Sequence, residues 1–122
     1  MTPPRVGEVC LLTRDVPQLA GFYRALLGVP DSGDQDPVHQ TILREETSLT
    51  IFDDGCEHDS AAGSICLAFT VEDVDRAAEL VRKLGGHVLE EPCDRPWGAR
   101  NMSFLDPAGN TIYLRSFLRA AR

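Results

Sequence analysis

Val16, Leu19, Phe22, Tyr23, Leu26 and Leu27 recur at three- and four-residue spacing, the period of a helix with one apolar face. Asp15 stands before this run as an N-cap, with Gln18 three residues on. Pro17 sits in the first turn, where a missing N–H costs nothing, and Gly28 supplies the stop. The pattern predicts a helix over about 16–27. The same spacing returns in Val74, Ala77, Ala78, Val81 and Leu84 behind Asp73 and ends at Gly85-Gly86, which predicts a second helix over about 74–84. β-type runs surround them at Val6–Thr13, His39–Leu43, Ser48–Phe52, Ile65–Val71, His87–Glu90, Asn101–Leu105 and Thr111–Ser116. His39–Leu43 and Ser48–Phe52 flank a polar turn and read as a hairpin. Pro30–Pro37 and Glu91–Gly98 read as loops, Asp106–Asn110 as a turn, and Phe117–Arg122 as either a helical tail or a frayed end.

The two halves carry one pattern twice. Asp15-Val16, Ala20, Arg24, Leu26 and Gly28 match Asp73-Val74, Ala78, Arg82, Leu84 and Gly86 at a constant step of 58 (73 − 15 = 58; 86 − 28 = 58). The 122 residues therefore read as a single domain of two modules, about 6–52 and 65–117, joined by an acidic, small-residue linker at 53–64. Strands with one helix per module give an α+β class.

Alternation divides each strand into two faces. Val9, Leu11, Leu49, Ile51, Leu67, Phe69, Val71, Ile112 and Leu114 form an apolar set that must pack on the helices. Glu8, Cys10, Leu12, Ser48, Thr50, Phe52, Cys66, Ala68, Thr70, Thr111, Tyr113 and Arg115 form a mixed polar set fit to line a binding surface.

Composition narrows the function classes. Net charge is −7, with 12 Lys and Arg against 19 Asp and Glu, which argues against a nucleic-acid partner. The longest apolar run, Ile65–Phe69, is far short of the ~20 residues of a membrane span, so no membrane partner is expected. The start, Met1-Thr2-Pro3-Pro4-Arg5, lacks the apolar stretch of a signal peptide, and a cytoplasmic location is expected. The four cysteines form no CxxC and read as free thiols.

Three stretches carry a resemblance. They are Asp15-Val16 through Phe22-Tyr23-Arg24 to Leu27-Gly28, then Phe69-x-Val71-x-Asp73-Val74-Asp75 leading to Gly85-Gly86, and then Pro96-Trp97-Gly98 with Phe104-x-Asp106-Pro107-x-Gly109-Asn110-x-Ile112-x-Leu114. In these the chain resembles the vicinal oxygen chelate superfamily of glyoxalase I, extradiol dioxygenases, fosfomycin-resistance and bleomycin-resistance proteins. The resemblance implies two βαβββ modules in a cup-shaped, barrel-like mixed sheet, commonly within a homodimer. It also implies four inward metal-ligand positions, which here hold Glu8, Ser48, Cys66 and Tyr113.

Family metalloenzymes carry His, Gln or Glu at those positions. One carboxylate with a hydroxyl, a thiol and a phenol is a poor donor set for a divalent cation. No metal and no cofactor are therefore expected. The branch typified by bleomycin-resistance proteins sequesters a drug without chemistry, and it supplies the expectation here: a non-enzymatic protein holding a planar or aromatic small molecule. The candidate binding residues are Glu8, Cys10, Ser48, Thr50, Phe52, Cys66, Trp97, Arg100, Tyr113 and Arg115. The alternatives are a divalent-metal lyase, isomerase or dioxygenase with a non-standard site such as Glu8–Cys10–Cys66, a metal-free isomerase using Glu8 as base, and a module without a ligand.

Overall fold

The computed structural model describes residues 6, 8–57 and 66–118. The chain divides into two compact units, residues 1–58 and 59–122. Among the described residues each holds one helix and one mixed sheet, so the class is α+β.

In the first unit, β1 (Glu8–Leu12) leads into α1 (Val16–Leu27), and a hairpin of β2 (His39–Arg44) and β3 (Ser48–Phe52) follows. The sheet order is β1-β3-β2, with β1 parallel and β2 antiparallel to β3. The Asp15 carboxylate accepts from the Gln18 backbone N–H at 3.1 Å, and Gly28 closes the helix at φ 68°. Val16, Leu19, Ala20, Phe22 and Tyr23 are buried on the helix face that the spacing marks, with Leu11, Ile42, Leu49 and Ile51 buried in the sheet.

In the second unit, β4 (Leu67–Thr70) leads into α2 (Val74–Lys83), and β5 (His87–Asp94), β6 (Ala99–Leu105) and β7 (Thr111–Phe117) complete a sheet of order β4-β7-β6-β5. α2 packs on β5, β6 and β7. Val74, Ala78 and Val81 are buried, as are Met102, Phe104, Ile112 and Leu114. Asp73 caps α2 by accepting from the backbone N–H groups of Asp75 and Arg76.

The largest departure from the sequence reading is β5. The stretch from Glu91 reads as a loop because of Pro92, yet the strand runs on to Asp94. Among the described residues β5 is an edge strand paired only with β6, and its register shifts between Glu90 and Cys93. An edge strand with a bulge has room for a proline that a central strand does not. Only residues 95–98 remain as a turn, closed by Arg95 N–H to the Ala99 carbonyl at 2.7 Å, with Gly98 at φ 89°. Phe117 continues β7 instead of starting a tail. The expected strand start at Ile65, most of the 53–64 linker, and tail residues 119–122 lie outside the described residues.

Gly86 shows how closely α2 meets the sheet. A Cβ there would lie 2.6 Å from Val81 Cγ1 and 3.3 Å from the Val81 carbonyl oxygen. Val81 is fully buried and β-branched, so it cannot swing aside. Gly86→Ala is expected to cost about 1–3 kcal/mol of overpacking strain. Urea unfolding monitored by circular dichroism checks this, and an unchanged midpoint would show that the helix end can give way.

Candidate functional site

On the first sheet, the register Glu8↔Ser48, Cys10↔Thr50 and Leu12↔Phe52 sets these residues side by side on one face. β2 adds Thr41 opposite Thr50 and His39 opposite Phe52. Thr50 is fully buried, and its hydroxyl donates to Glu8 Oε2 at 2.9 Å. Burial pushes the Cys10 thiol up, and the Glu8 charge and hydrogen bond push it further, so the thiol stays protonated and donates to the carboxylate. Glu8 is thus held by two neighbours. His39 and Phe52 meet edge to face, 5.8 Å between ring centroids.

On the second sheet, Ala68 lies beside Tyr113, Tyr113 beside Ser103, and Ser103 beside Glu90; Thr70, Arg115 and Asn101 form the next row. Glu90 is the hub. It accepts from the Ser103 hydroxyl at 2.9 Å, from Arg95 at 3.0 Å and from the Tyr113 phenol. Arg95 also donates to Asn101 Oδ1 at 2.7 Å. Arg115 donates to Thr70 at 3.1 Å and lies over the Phe117 ring, 5.0 Å from its centroid. Trp97, at the tip of the β5–β6 turn, is 70% exposed.

Glu90, Arg95, Asn101 and Ser103 belong to this face, and the sequence reading omits them. Alternation applied to β6 would have found Asn101 and Ser103. Glu90 hides behind the bulge, and Arg95 stands in a turn where no periodicity applies. Thr111 pairs with Leu105 on the same face. Cys66 is exposed and lies just before β4.

Arg100 is placed elsewhere, which corrects the expected position. Its strand neighbours on that face are buried Met102 and Phe104, so it points toward α2. Its Nε and Nη2 reach Asp75 at 2.9 and 3.0 Å, and Nη1 reaches Asp94 at 2.9 Å. The Arg100 hydrogen bond holds the Asp75 carboxyl below its usual range. Arg100 therefore ties the start of α2 to the β5–β6 hairpin and does not line the polar face.

The four positions that family metalloenzymes use do not fit a metal. Glu8 is taken up by Thr50 and Cys10, Tyr113 donates to Glu90, Ser48 offers a neutral hydroxyl, and Cys66 offers a thiol. No three of the described His, Cys, Asp and Glu residues are grouped to hold an ion.

The Glu90 hub gives a pH signature. The Ser103 hydrogen bond, with Arg95 and Tyr113, holds the Glu90 carboxyl below its usual range. A lowered folded-state pKa adds stability above the unfolded value of about 4.3, and that stability is lost as pH falls through the folded value. Thermal melts should therefore show a drop below roughly pH 4.3 that is smaller in Glu90→Gln. Parallel pH profiles of the two proteins would show that the hub adds nothing.

Comparison with known proteins places these features. The sequence profile of the Glyoxalase/Bleomycin resistance protein/Dioxygenase superfamily matches residues 5–114. The anthracycline biosynthesis protein DauV of Streptomyces sp. (strain C5) is 34% identical over 98% of the chain, which spans 45% of DauV's length. The uncharacterized protein YraH of Bacillus subtilis (strain 168) is 30% identical, with 91% of this chain and 97% of YraH covered. The crystal structure of a glyoxalase/bleomycin resistance protein/dioxygenase family enzyme from Burkholderia phytofirmans PsJN matches at a TM-score of 0.80 and 16% identity, covering 94% of this chain and all of that one. No helix among the described residues is long and apolar enough to cross a membrane. With its profile match across both units, and its pair of sheets each carrying one helix, the chain belongs to the glyoxalase/bleomycin resistance protein/dioxygenase superfamily.

Proposed function

We propose that this chain binds a planar or aromatic small molecule on the polar face of its second sheet, without a metal, and sequesters it as a cytoplasmic homodimer. Tyr113 is the observation that carries the reading. At a position where family metalloenzymes place a metal ligand, this chain has a phenol whose hydroxyl is bound to Glu90, leaving an aromatic ring on the face. Ser103, Asn101 and Arg115 surround that ring with polar groups that can orient a ligand. Trp97 adds an exposed ring at the end of the same sheet. DauV is named for the biosynthesis of anthracyclines, which are planar aromatic compounds, and that supports the ligand class.

Intrinsic fluorescence of Trp97, the sole tryptophan, would be titrated with aromatic antibiotics and metabolites. Binding should quench it, and Trp97→Ala should weaken binding by ~0.5–1.5 kcal/mol, about twofold to thirteenfold, without loss of fold. A panel without effect on fluorescence or on Tyr113 chemical shifts would refute the reading. Elemental analysis separates it from the metal-dependent lyase, isomerase or dioxygenase: about one divalent ion per purified chain would favour the enzyme. Sedimentation at micromolar concentration tests the dimer, which a purely monomeric profile would exclude.

A further inference from the structure

The first unit carries a cleft of about 400 Å³ beside α1, on residues to which the sheet-face site lays no claim. Its walls include Gly21, Arg24 and Ala25 of α1, Asp31 and Asp34 of the following loop, and Gln40 of β2. The segments that follow the two helices differ. Adding 58 to residues 29–36 gives 87–94, the span of β5 (29 + 58 = 87; 36 + 58 = 94). Where the second unit lays an edge strand beside its helix, the first has a loop that stands off.

The same step pairs Arg24 of α1 with Arg82 of α2 (24 + 58 = 82). In the second unit, Arg82 of α2 binds both oxygens of the Glu91 carboxylate on β5. In the first, Arg24 has no carboxylate partner among the described residues. Arg24 keeps one contact, from Nη1 to Gln40 Oε1 at 2.6 Å, and Gln40 is itself buried and fixed to the Asp36 carbonyl at 3.0 Å. Arg24 Nη2 is buried with no hydrogen-bond partner among the described residues. A buried guanidinium nitrogen without an acceptor is costly and calls for one. Gly21 points the same way. Glycine is a poor choice for a helix interior, and nothing lies within 4 Å of where its Cβ would be, so packing does not require it; it widens the cleft.

We infer that this cleft is a second binding site, for a small molecule carrying both a carboxylate and an ammonium group. The carboxylate takes the place that Glu91 fills in the other unit, met by a modest swing of the Arg24 guanidinium into the cleft it already lines. Arg–carboxylate pairing of this kind is charge-assisted and directional. A simple anion would be disfavoured, because Asp31 and Asp34 outnumber Arg24 on the walls. An ammonium group on the same ligand turns those two carboxylates into partners. Pro17, Ala25 and Val29 supply an apolar wall for a side chain. The ligand class is thus that of free amino acids.

The test uses the ¹⁵N-labelled full chain and L-leucine, with 4-methylpentanoate (no amine) and 3-methylbutylamine (no carboxylate) as matched probes. Leucine should shift the amide signals of Gly21, Gly33 and Gln35. Each matched probe should bind at least about tenfold more weakly, and Arg24→Gln should weaken leucine by about tenfold or more. Gly21→Leu fills the cleft while keeping Arg24 in the chain and should abolish the shifts; it decides the matter if Arg24→Gln does not fold. Amide signals unmoved by about 20 mM leucine, corresponding to affinity too weak to matter, would overturn the proposal. So would equal binding of either matched probe, or binding that survives Gly21→Leu.

Discussion

Phe104→Ala is expected to lower the stability of the second unit by about 3–5 kcal/mol, with the unfolding midpoint moving and the transition staying cooperative. Phe104 is fully buried on the helix side of β6, between Met102 and the start of the β6–β7 turn. One ring edge lies 3.5 Å from the Cβ that Gly86 would carry, so the ring fills the same close contact that demands glycine at that position. Its removal leaves a void that Val81 cannot fill, because Val81 is fully buried and stiff at χ1. Phe69→Ala is the control. Phe69 is on the apolar face by alternation, but β4 is an edge strand and leaves it half-buried, so its loss should cost clearly less. Urea unfolding of both variants tests the ranking, and equal losses would mean that Phe69 is more enclosed than its place on β4 indicates.

That ranking marks where sequence and structure part. Periodicity places Phe69 and Phe104 on the same kind of face, since it reports direction and not depth. Depth depends on strand order, and β6 is central while β4 is an edge. Both helices were legible because caps, periodicity and stops all agree over one short span. The polar faces of β1, β3 and β7 were legible because those strands alternate without interruption, and the registers then align Glu8 with Ser48 and Ala68 with Tyr113. β5 was not legible beyond Glu90, because Pro92 signals a break and only its edge position removes the conflict. Arg100 was misplaced because the expected strand begins at Asn101, so the alternation of β6, which starts at Ala99, was never applied to it. The Arg24 cleft is a subtler case. The step of 58 was plain in the sequence, but its consequence appears only when Arg82 is seen on Glu91 and Arg24 is seen without a counterpart.

Asp106→Ala is expected to cost about 3 kcal/mol or more, the second large effect. Its carboxylate is buried and accepts from the backbone N–H groups of Ala108 and Asn110 and from the Asn110 side-chain amide, each at 2.9 Å. The backbone closes the same turn, with Asp106 N–H on the Asn110 carbonyl at 3.0 Å and Gly109 at φ 87°. The residues Asp106-Pro107-Ala108-Gly109-Asn110, so prominent in the resemblance to the family, are therefore a device for turning β6 into β7. Alanine leaves three donors of a part-buried turn without their charged acceptor, and each such loss is worth about 1–3 kcal/mol before relaxation where water does not replace it. Asp106→Asn is the sharper comparison. Its carbonyl oxygen can still serve the backbone donors, but its amide faces the Asn110 amide, so it should fall between the parent and alanine. The consequence reaches the polar face, because Tyr113 follows Gly109 by four residues and pairs with Ser103 only in the register that this turn sets. Alanine at 106 should therefore also weaken the Tyr113–Glu90 hydrogen bond, seen as a shift of the Tyr113 ring signals in whatever fraction stays folded. Urea unfolding that places Asp106→Ala within about 1 kcal/mol of the parent, with the Tyr113 signals unmoved, would show that pairing along β6 and β7 holds the register without the turn.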